Sequence, residues 1–268
     1  MVHGIIALML ASIDGRIQPA DEAVIPISDE GLLRGDGAFE VIRLYDGVPF
    51  ALDEHLERMG RTAAGIRLPL DTAAYEREVA ALLAADPPGD AQVRLVATRG
   101  GRRLAIVEPL VRGPETLALR TVTYSPPRLL DDIKSLSYAA NMLATRIAVE
   151  RGGDEALLVT PHGRVLEGPR QTFVVSLDGA TLVTAPLDDH VLDSITRRHL
   201  VALGLLIERP ITADDLAGAH EAFLASTTRE VHPVREIDGR ALPAAPGPLT
   251  AAAATRLHAR IMTAVGAP

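Results

Sequence analysis

The chain has 268 residues, a formal net charge of −8 and a pI near 5.5, with 47% apolar and 23% charged residues. That length holds one large domain or two modest ones, and the acidic balance offers no basic surface to nucleic acid or an anionic membrane. Zero cysteines exclude disulfides, Cys-ligated zinc, iron–sulfur clusters and thiol nucleophiles; the eight histidines are scattered without a close pair at metal-ligand spacing, so no metal is expected.

The first apolar stretch, "GIIALMLASIDGRI", has no basic leader, and Asp14-Gly15 interrupts it with a hairpin-turn pair. It reads as a buried strand turning into a second one. No apolar run approaches the ~18 residues of a membrane span, which makes the cytoplasm the default location. Turn pairs recur at Asp46-Gly47, His162-Gly163 and Asp178-Gly179, flanked by strand-like text such as "AFEVIRLYDGVPF" and "TFVVSLDGATLVTA". Helical text separates them. "DEHLERMGRTAAGI" opens with Asp53 as its expected cap, followed by Leu56, Met59, Ala63 and Ile66 at helical spacing. "TAAYEREVAALLAA" and "SYAANMLATRIAVERGG" give two further helices, and "PLTAAAATRLHARIMTAV" a capped amphipathic helix near the C-terminus. Hairpins and helices alternate without a strict βαβ rhythm, which predicts an α+β fold. The paired prolines of "TYSPPRLLDD" mark a linker at 123–132 between an N-terminal α/β domain, 1–122, and a C-terminal domain, 133–268.

"DDIKSLSYAANM" contains Lys134, the single lysine among 27 Lys+Arg residues. An arginine stays protonated, whereas a desolvated lysine can lose its proton and attack a carbonyl. The plain alternative is an arginine-rich chain with one lysine left by drift, so the surroundings must decide. "VLDSITRRHLVALG" places Ser194, Ile195 and Thr196 at a helix start, where free N–H groups and the dipole favour a phosphate; in isolation a routine cap is the favoured reading. "FLASTTREVHPV" ends a strand on Ser226, Thr227 and Thr228, and Arg58 lies in a helix. No P-loop and no G-x-G-x-x-G accompanies them. Glu167, after a hairpin strand and before Gly168-Pro169, is either an edge charge or the buried partner of a cationic ring nitrogen. One cofactor would use a lone amine, a carboxylate for a pyridinium, and helix-end and hydroxyl donors for one phosphate: pyridoxal 5'-phosphate (PLP).

From "ISDEGLLRGDGAFEVIRLYDG" to "EAFLASTTREVHPVREIDG" the chain resembles the class-IV aminotransferases, the fold-type IV PLP enzymes that include branched-chain and D-amino-acid aminotransferases and aminodeoxychorismate lyase. The resemblance implies a two-domain, D-amino-acid aminotransferase-like fold with the active site between the domains, a PLP-binding C-terminal domain, and a homodimer. Lys134 then resembles the Schiff-base lysine, Glu167 the acid on the pyridine nitrogen, and Tyr138 the tyrosine near the cofactor's phenolic oxygen. Arg58 resembles the phosphate arginine, Ser194, Ile195 and Thr196 match the helix-end phosphate site, and Ser226 and Thr227 its hydroxyl side. Phe39, Arg43, the "TRGGRR" arginines Arg99, Arg102 and Arg103, and Thr228 are candidates for substrate contacts; a solvated hairpin tip is the plain alternative for the three clustered arginines. Two departures stand out: Thr172 where the family often has asparagine, and Ser194 where glycine is common before Ile-Thr. The expected activity is amino-group transfer between an amino acid or amine and a 2-keto acid. The lyase reaction, releasing pyruvate and 4-aminobenzoate, is the alternative, and a non-catalytic PLP-binding protein a third.

Overall fold

The computed structural model describes residues 9–111, 113–125 and 127–266. It has two compact units: Met1–Val111 with Ile133–Ser137, and Arg112–Asp132 with Tyr138–Pro268. The division differs from the expected linker at 123–132. Residues 117–123 pair with strands of the second unit, while Ile133–Ser137 pairs with a strand of the first.

In the first unit, β1 (Leu10–Ile13), β2 (Arg16–Pro19), β3 (Gly37–Tyr45), β4 (Val48–Pro49), β5 (Ala91–Thr98) and β6 (Arg103–Pro109) form one antiparallel sheet ordered β2-β1-β6-β5-β3-β4. The β1–β2 turn falls on Asp14-Gly15 and the β3–β4 turn on Asp46-Gly47, all four with φ between 47° and 87°, as such two-residue hairpin turns require. The expected start of the first strand, at residues 4–8, lies outside the described residues. Three helices complete the unit: α1 (Glu30–Arg34), α2 (Leu52–Gly65) and α3 (Thr72–Ala85). Along β3, Ala38, Ile42 and Leu44 join Leu56 and Met59 of α2, Tyr75, Val79 and Leu82 of α3, and Val93 and Leu95 of β5 in one core. Each fully buried large apolar side chain stabilises by roughly 1.5–3 kcal/mol. Asp71 caps α3, accepting from the Ala74 N–H at 3.0 Å. Asp53 does not cap α2. Ala51, in the left-handed region, turns the chain two residues earlier, and Asp53 sits in the first turn where its charge suits the helix dipole.

The second unit's strands are β7 (Leu117–Thr123), β8 (Glu155–Val159), β9 (Arg164–Val165), β10 (Thr172–Ser176), β11 (Val183–Thr184), β12 (Ile207–Glu208), β13 (Ile211–Thr212), β14 (Glu221–Ser226), β15 (Glu230–Ile237) and β16 (Arg240–Ala241). Their order is β12-β11-β10-β14-β15-β7-β8-β9-β13, with β16 on β15. β7 runs parallel to both neighbours, and α4 (Ala139–Glu150) lies within its connection to β8. All five residues of β8 are buried, and the four after Glu155 are apolar, as a strand covered on both faces demands. One face packs Leu119, Leu157, Phe173 and Leu224; the other packs Leu158 and Leu166 against Ala144 and Ala148 of α4. Two helices follow, α5 (Ile195–Ala202) and α6 (Pro248–Val265). The cap of α6 is remote: Gly247 has no side chain, and the buried Glu221 carboxylate of β14 accepts from the Leu249 and Thr250 N–H groups instead.

Candidate active site

Lys134 is placed by backbone pairing. The Phe39 N–H donates to the Lys134 carbonyl at 3.1 Å and the Leu136 N–H to the Gly37 carbonyl at 2.9 Å, so residues 134–136 lie antiparallel to the start of β3. Gly37 permits this, because a Cβ there would stand 2.3 Å from the Ala97 carbonyl oxygen and 2.6 Å from Leu136 Cδ1. The Lys134 N–H also donates to Thr62 Oγ1 of α2 at 3.2 Å. The ammonium lies 4.3 Å from the centre of the Phe39 ring, a cation–π contact. Phe39 is thus the lysine's neighbour.

Side chains alternate along β3, so Glu40 points away from Phe39 and toward α2. Its carboxylate is fully buried and accepts from Arg58 Nε and Nη2, each at 2.7 Å, and from His55 Nδ1 at 2.8 Å. Burial alone would raise the Glu40 carboxyl, but the Arg58 charge and the Arg58 and His55 hydrogen bonds outweigh it and hold it at about 2. Burial lowers the His55 pKa, and the Arg58 and Lys134 charges lower it further, against the opposing pull of Glu40. His55 is therefore a neutral imidazole donating from Nδ1, and its buried Nε2 has no partner among the described residues. The two-point grip of Glu40 fixes the plane of the Arg58 guanidinium.

The remaining arginine candidates have structural partners. Arg99 bonds Asp36 at 3.0 Å and the Ile66 and Arg67 carbonyls at 2.7 and 2.6 Å, fastening the β5–β6 turn to the end of α2. Arg102 donates to Asp14 at 2.6 Å and Arg103 to Glu78 at 2.8 Å. These bonds account for the cluster as intramolecular ion pairs, and neither a solvated tip nor a substrate contact is needed to explain it. Arg43 lies over the Tyr45 ring at 4.3 Å and 3.9 Å from Asp90.

In the second unit, Glu167 ends the β8–β9 hairpin. Its main-chain carbonyl accepts from the Leu158 N–H at 2.9 Å, and its carboxylate from the Leu192 N–H at 3.2 Å. Burial first, then the charge of Glu167, raises the pKa of both Tyr124 and Tyr138, so both phenols stay protonated. The Tyr138 hydroxyl donates to the Pro169 carbonyl at 2.7 Å, and Asn141 Nδ2 donates to the same oxygen at 2.8 Å.

Ser194 caps α5, its hydroxyl accepting from the Arg197 N–H at 3.3 Å. That leaves the Ile195 and Thr196 N–H groups in the first turn, where no intrahelical acceptor exists. Both residues are buried. α5 packs against β14, whose last residue, Ser226, has a buried hydroxyl without a partner among the described residues. Thr227 and Thr228 follow in the turn to β15. Helix-end amides beside an unsatisfied hydroxyl are the chemistry of an anion site, and they fit a phosphate.

Sequence reasoning missed Glu40, His55, Thr62, Tyr124 and Asn141. One signal was present: Glu40 stands at an inward position of an otherwise apolar strand, and His55 and Arg58 are three residues apart on one helix.

The amino-transferase class IV family profile matches residues 37–237. The chain is 33% identical over 274 residues to the D-alanine aminotransferase of Bacillus licheniformis, covering 93% of this chain and 96% of that one. The branched-chain aminotransferase of Thermoproteus uzoniensis, solved with norvaline, superposes with a TM-score of 0.86 at 30% identity, over 96% of this chain and 95% of that one. A hypothetical aminotransferase from Mycobacterium tuberculosis, in its alpha-ketoglutarate and PMP bound form, gives 0.85 at 26% identity over 95% and 99%. The chain belongs to the amino-transferase class IV family and has its fold-type IV, α+β architecture.

Proposed function

We propose that this class IV aminotransferase uses PLP to move an amino group from an amino acid to a 2-keto acid, with Lys134 as the residue that holds the cofactor. The observation that carries the reading is the placement of the chain's single lysine, pinned by β3 and α2 with its amine on the Phe39 ring. When bound, PLP supplies the aldehyde that carries the amino group and a ring that accepts electrons. Lys134 Nζ would take the proton from the donor's α-carbon and deliver it to the cofactor carbon that takes up the amino group, with the reverse transfer for the keto acid. The Glu167 carboxylate, which accepts from the Leu192 N–H, would hold a proton on the cofactor's ring nitrogen. Tyr138, a protonated phenol, would serve the cofactor's phenolic oxygen. Arg58, the first turn of α5 and the Ser226–Thr227 hydroxyls bind its phosphate. The chain works as a cytoplasmic homodimer, a reading that rests on the family resemblance and, among the described residues, on the lack of a helix long and apolar enough to cross a membrane; light scattering tests the oligomeric part.

The test is a panel of D- and L-amino donors with pyruvate or 2-oxoglutarate, run beside aminodeoxychorismate. New amino acid together with keto acid is expected. Release of 4-aminobenzoate without amino transfer would replace the reading with the lyase. Borohydride reduction of the holoenzyme and mass spectrometry should place the pyridoxyl group on Lys134. A label elsewhere would overturn the assignment.

A further inference from the structure

One carbonyl in the second unit receives two side-chain donors. Pro169, buried and two residues after Glu167, accepts from the Tyr138 hydroxyl at 2.7 Å and from Asn141 Nδ2 at 2.8 Å. The Asn141 amide is in turn oriented, because its Oδ1 accepts from the Tyr124 hydroxyl at 3.5 Å. Tyr138 stands just before α4 and Asn141 one turn later, so the helix start presents both donors to the same oxygen. Two lone pairs are thereby filled, which a buried carbonyl does not require; one good donor suffices.

The redundancy has a consequence for Tyr138. A phenol has a single proton, and here it points at Pro169. To donate to an oxyanion, Tyr138 must withdraw that proton. Without a second donor, the withdrawal would leave a buried carbonyl unpaired and the proton would be held back. With Asn141 in place, the carbonyl stays satisfied whichever way the hydroxyl turns.

We propose that Asn141 is a positioning residue that keeps the Pro169 carbonyl satisfied, so that the Tyr138 proton is available to the phenolic oxygen of bound PLP, with Tyr124 holding the Asn141 amide in the donating orientation. This rests on the reading that PLP is the cofactor and that Tyr138 faces its phenolic oxygen. Asn141 itself acts only through Tyr138.

The readout is the pH midpoint of the visible band of the bound cofactor, measured on holoenzyme, together with the Kd of PLP for the apo-protein. A donor to the phenolic oxygen stabilises its ionised form and lowers the midpoint. Asn141→Leu removes the amide without adding charge near Glu167. The midpoint should rise by about one pH unit, and PLP should bind about five- to tenfold more weakly. Tyr124→Phe, which removes one exposed-side hydroxyl and leaves the helix intact, should move the midpoint the same way by less. The decisive arm is Tyr138→Phe: in that background there is no proton to compete for, so Asn141→Leu should shift nothing further. An equal shift in both backgrounds would show that the amide acts elsewhere and overturn the proposal. An unshifted midpoint in Asn141→Leu, or in Tyr124→Phe where the first variant does not fold, would overturn it too. Wild-type protein that shows no cofactor band at all would instead remove the PLP reading beneath it.

Discussion

The two units handle charge in opposite ways. In the first, Glu40, Arg58 and His55 are all buried and bonded to one another, and the cluster is closed by a bidentate ion pair. In the second, Ser226 has a buried hydroxyl with no partner among the described residues, and the Ile195 and Thr196 N–H groups lie in the first turn of α5, where no intrahelical acceptor exists. The first arrangement is prepaid in fold stability, since a buried ion must be paired. The second is cheap to leave because amides and hydroxyls are neutral, and its worth appears only when an anion arrives. A substitution within the Glu40–Arg58–His55 cluster should therefore damage folding, and one at the α5 start or the Ser226–Thr227 turn should damage ligand binding.

Lys134 and Glu167, one from each unit, set the scale of the largest effects. Lys134→Ala should abolish turnover with the fold retained, and Lys134→Arg should fail as badly, because a guanidinium keeps the charge but cannot shuttle the proton. Steady-state assays at enzyme concentrations high enough to see one part in ~10⁴ decide it; substantial activity in the arginine variant would sink the role. Glu167→Gln should keep PLP but lose ~10²–10³ in kcat, since a neutral amide holds a ring-nitrogen proton poorly. Near wild-type turnover would make Glu167 an edge charge.

Arg58→Ala tests both halves of the comparison at once. It removes the guanidinium to which the proposed function gives the phosphate, and it strands the Glu40 carboxylate in the core. Breaking such a buried pair costs about 3–5 kcal/mol, so the melting point of the apo-protein should fall sharply. PLP affinity should fall as well, by a charge-assisted bond of roughly 1.5–3 kcal/mol. Thr227→Val, in the second unit, should weaken PLP modestly and leave apo stability nearly unchanged. Equal effects of the two variants on the apo-protein would erase the distinction between the units.

The sequence was legible where one residue type does one job. Asp-Gly and His-Gly pairs marked the hairpins because those turns need positive φ, and the helices announced themselves by period. Lys134 stood out as the chain's single lysine and Glu167 as an acid at a strand end. What escaped was partnership at long range. Nothing local shows that Arg99, Arg102 and Arg103 meet Asp36, Asp14 and Glu78, the last two donors reaching acids 88 and 25 residues away. The α6 cap comes from Glu221, 28 residues upstream of Leu249, beyond any capping-box pattern. The division into units also escaped, because prolines mark a break in regular structure and do not say which sheet receives the next strand.

The smallest effect sharpens the comparison through pH. His55, in the first unit, is buried, and burial lowers its pKa below the ordinary 6.5. His232, in the second, is buried too and donates to the Pro114 carbonyl at 2.8 Å, and burial lowers its pKa. In the unfolded chain both histidines take up a proton as the pH falls through 6.5, while in the folded chain they resist it. The unfolded state then binds more protons, so stability must decline as pH drops below about 6.5 and recover above it. Glu40 works at lower pH: its stabilisation is full above its ordinary 4.5 and is lost as the pH falls toward about 2, so it is silent in this window. Urea unfolding of the apo-protein at pH 8 and pH 5.5 isolates the histidines and avoids the cofactor's own pH dependence. His55→Gln should flatten part of the difference between the two pH values, and His232→Gln another part. A His55→Gln variant that still loses as much stability as wild type would mean that the imidazole becomes protonated inside the fold, and that Glu40 carries two cations rather than one.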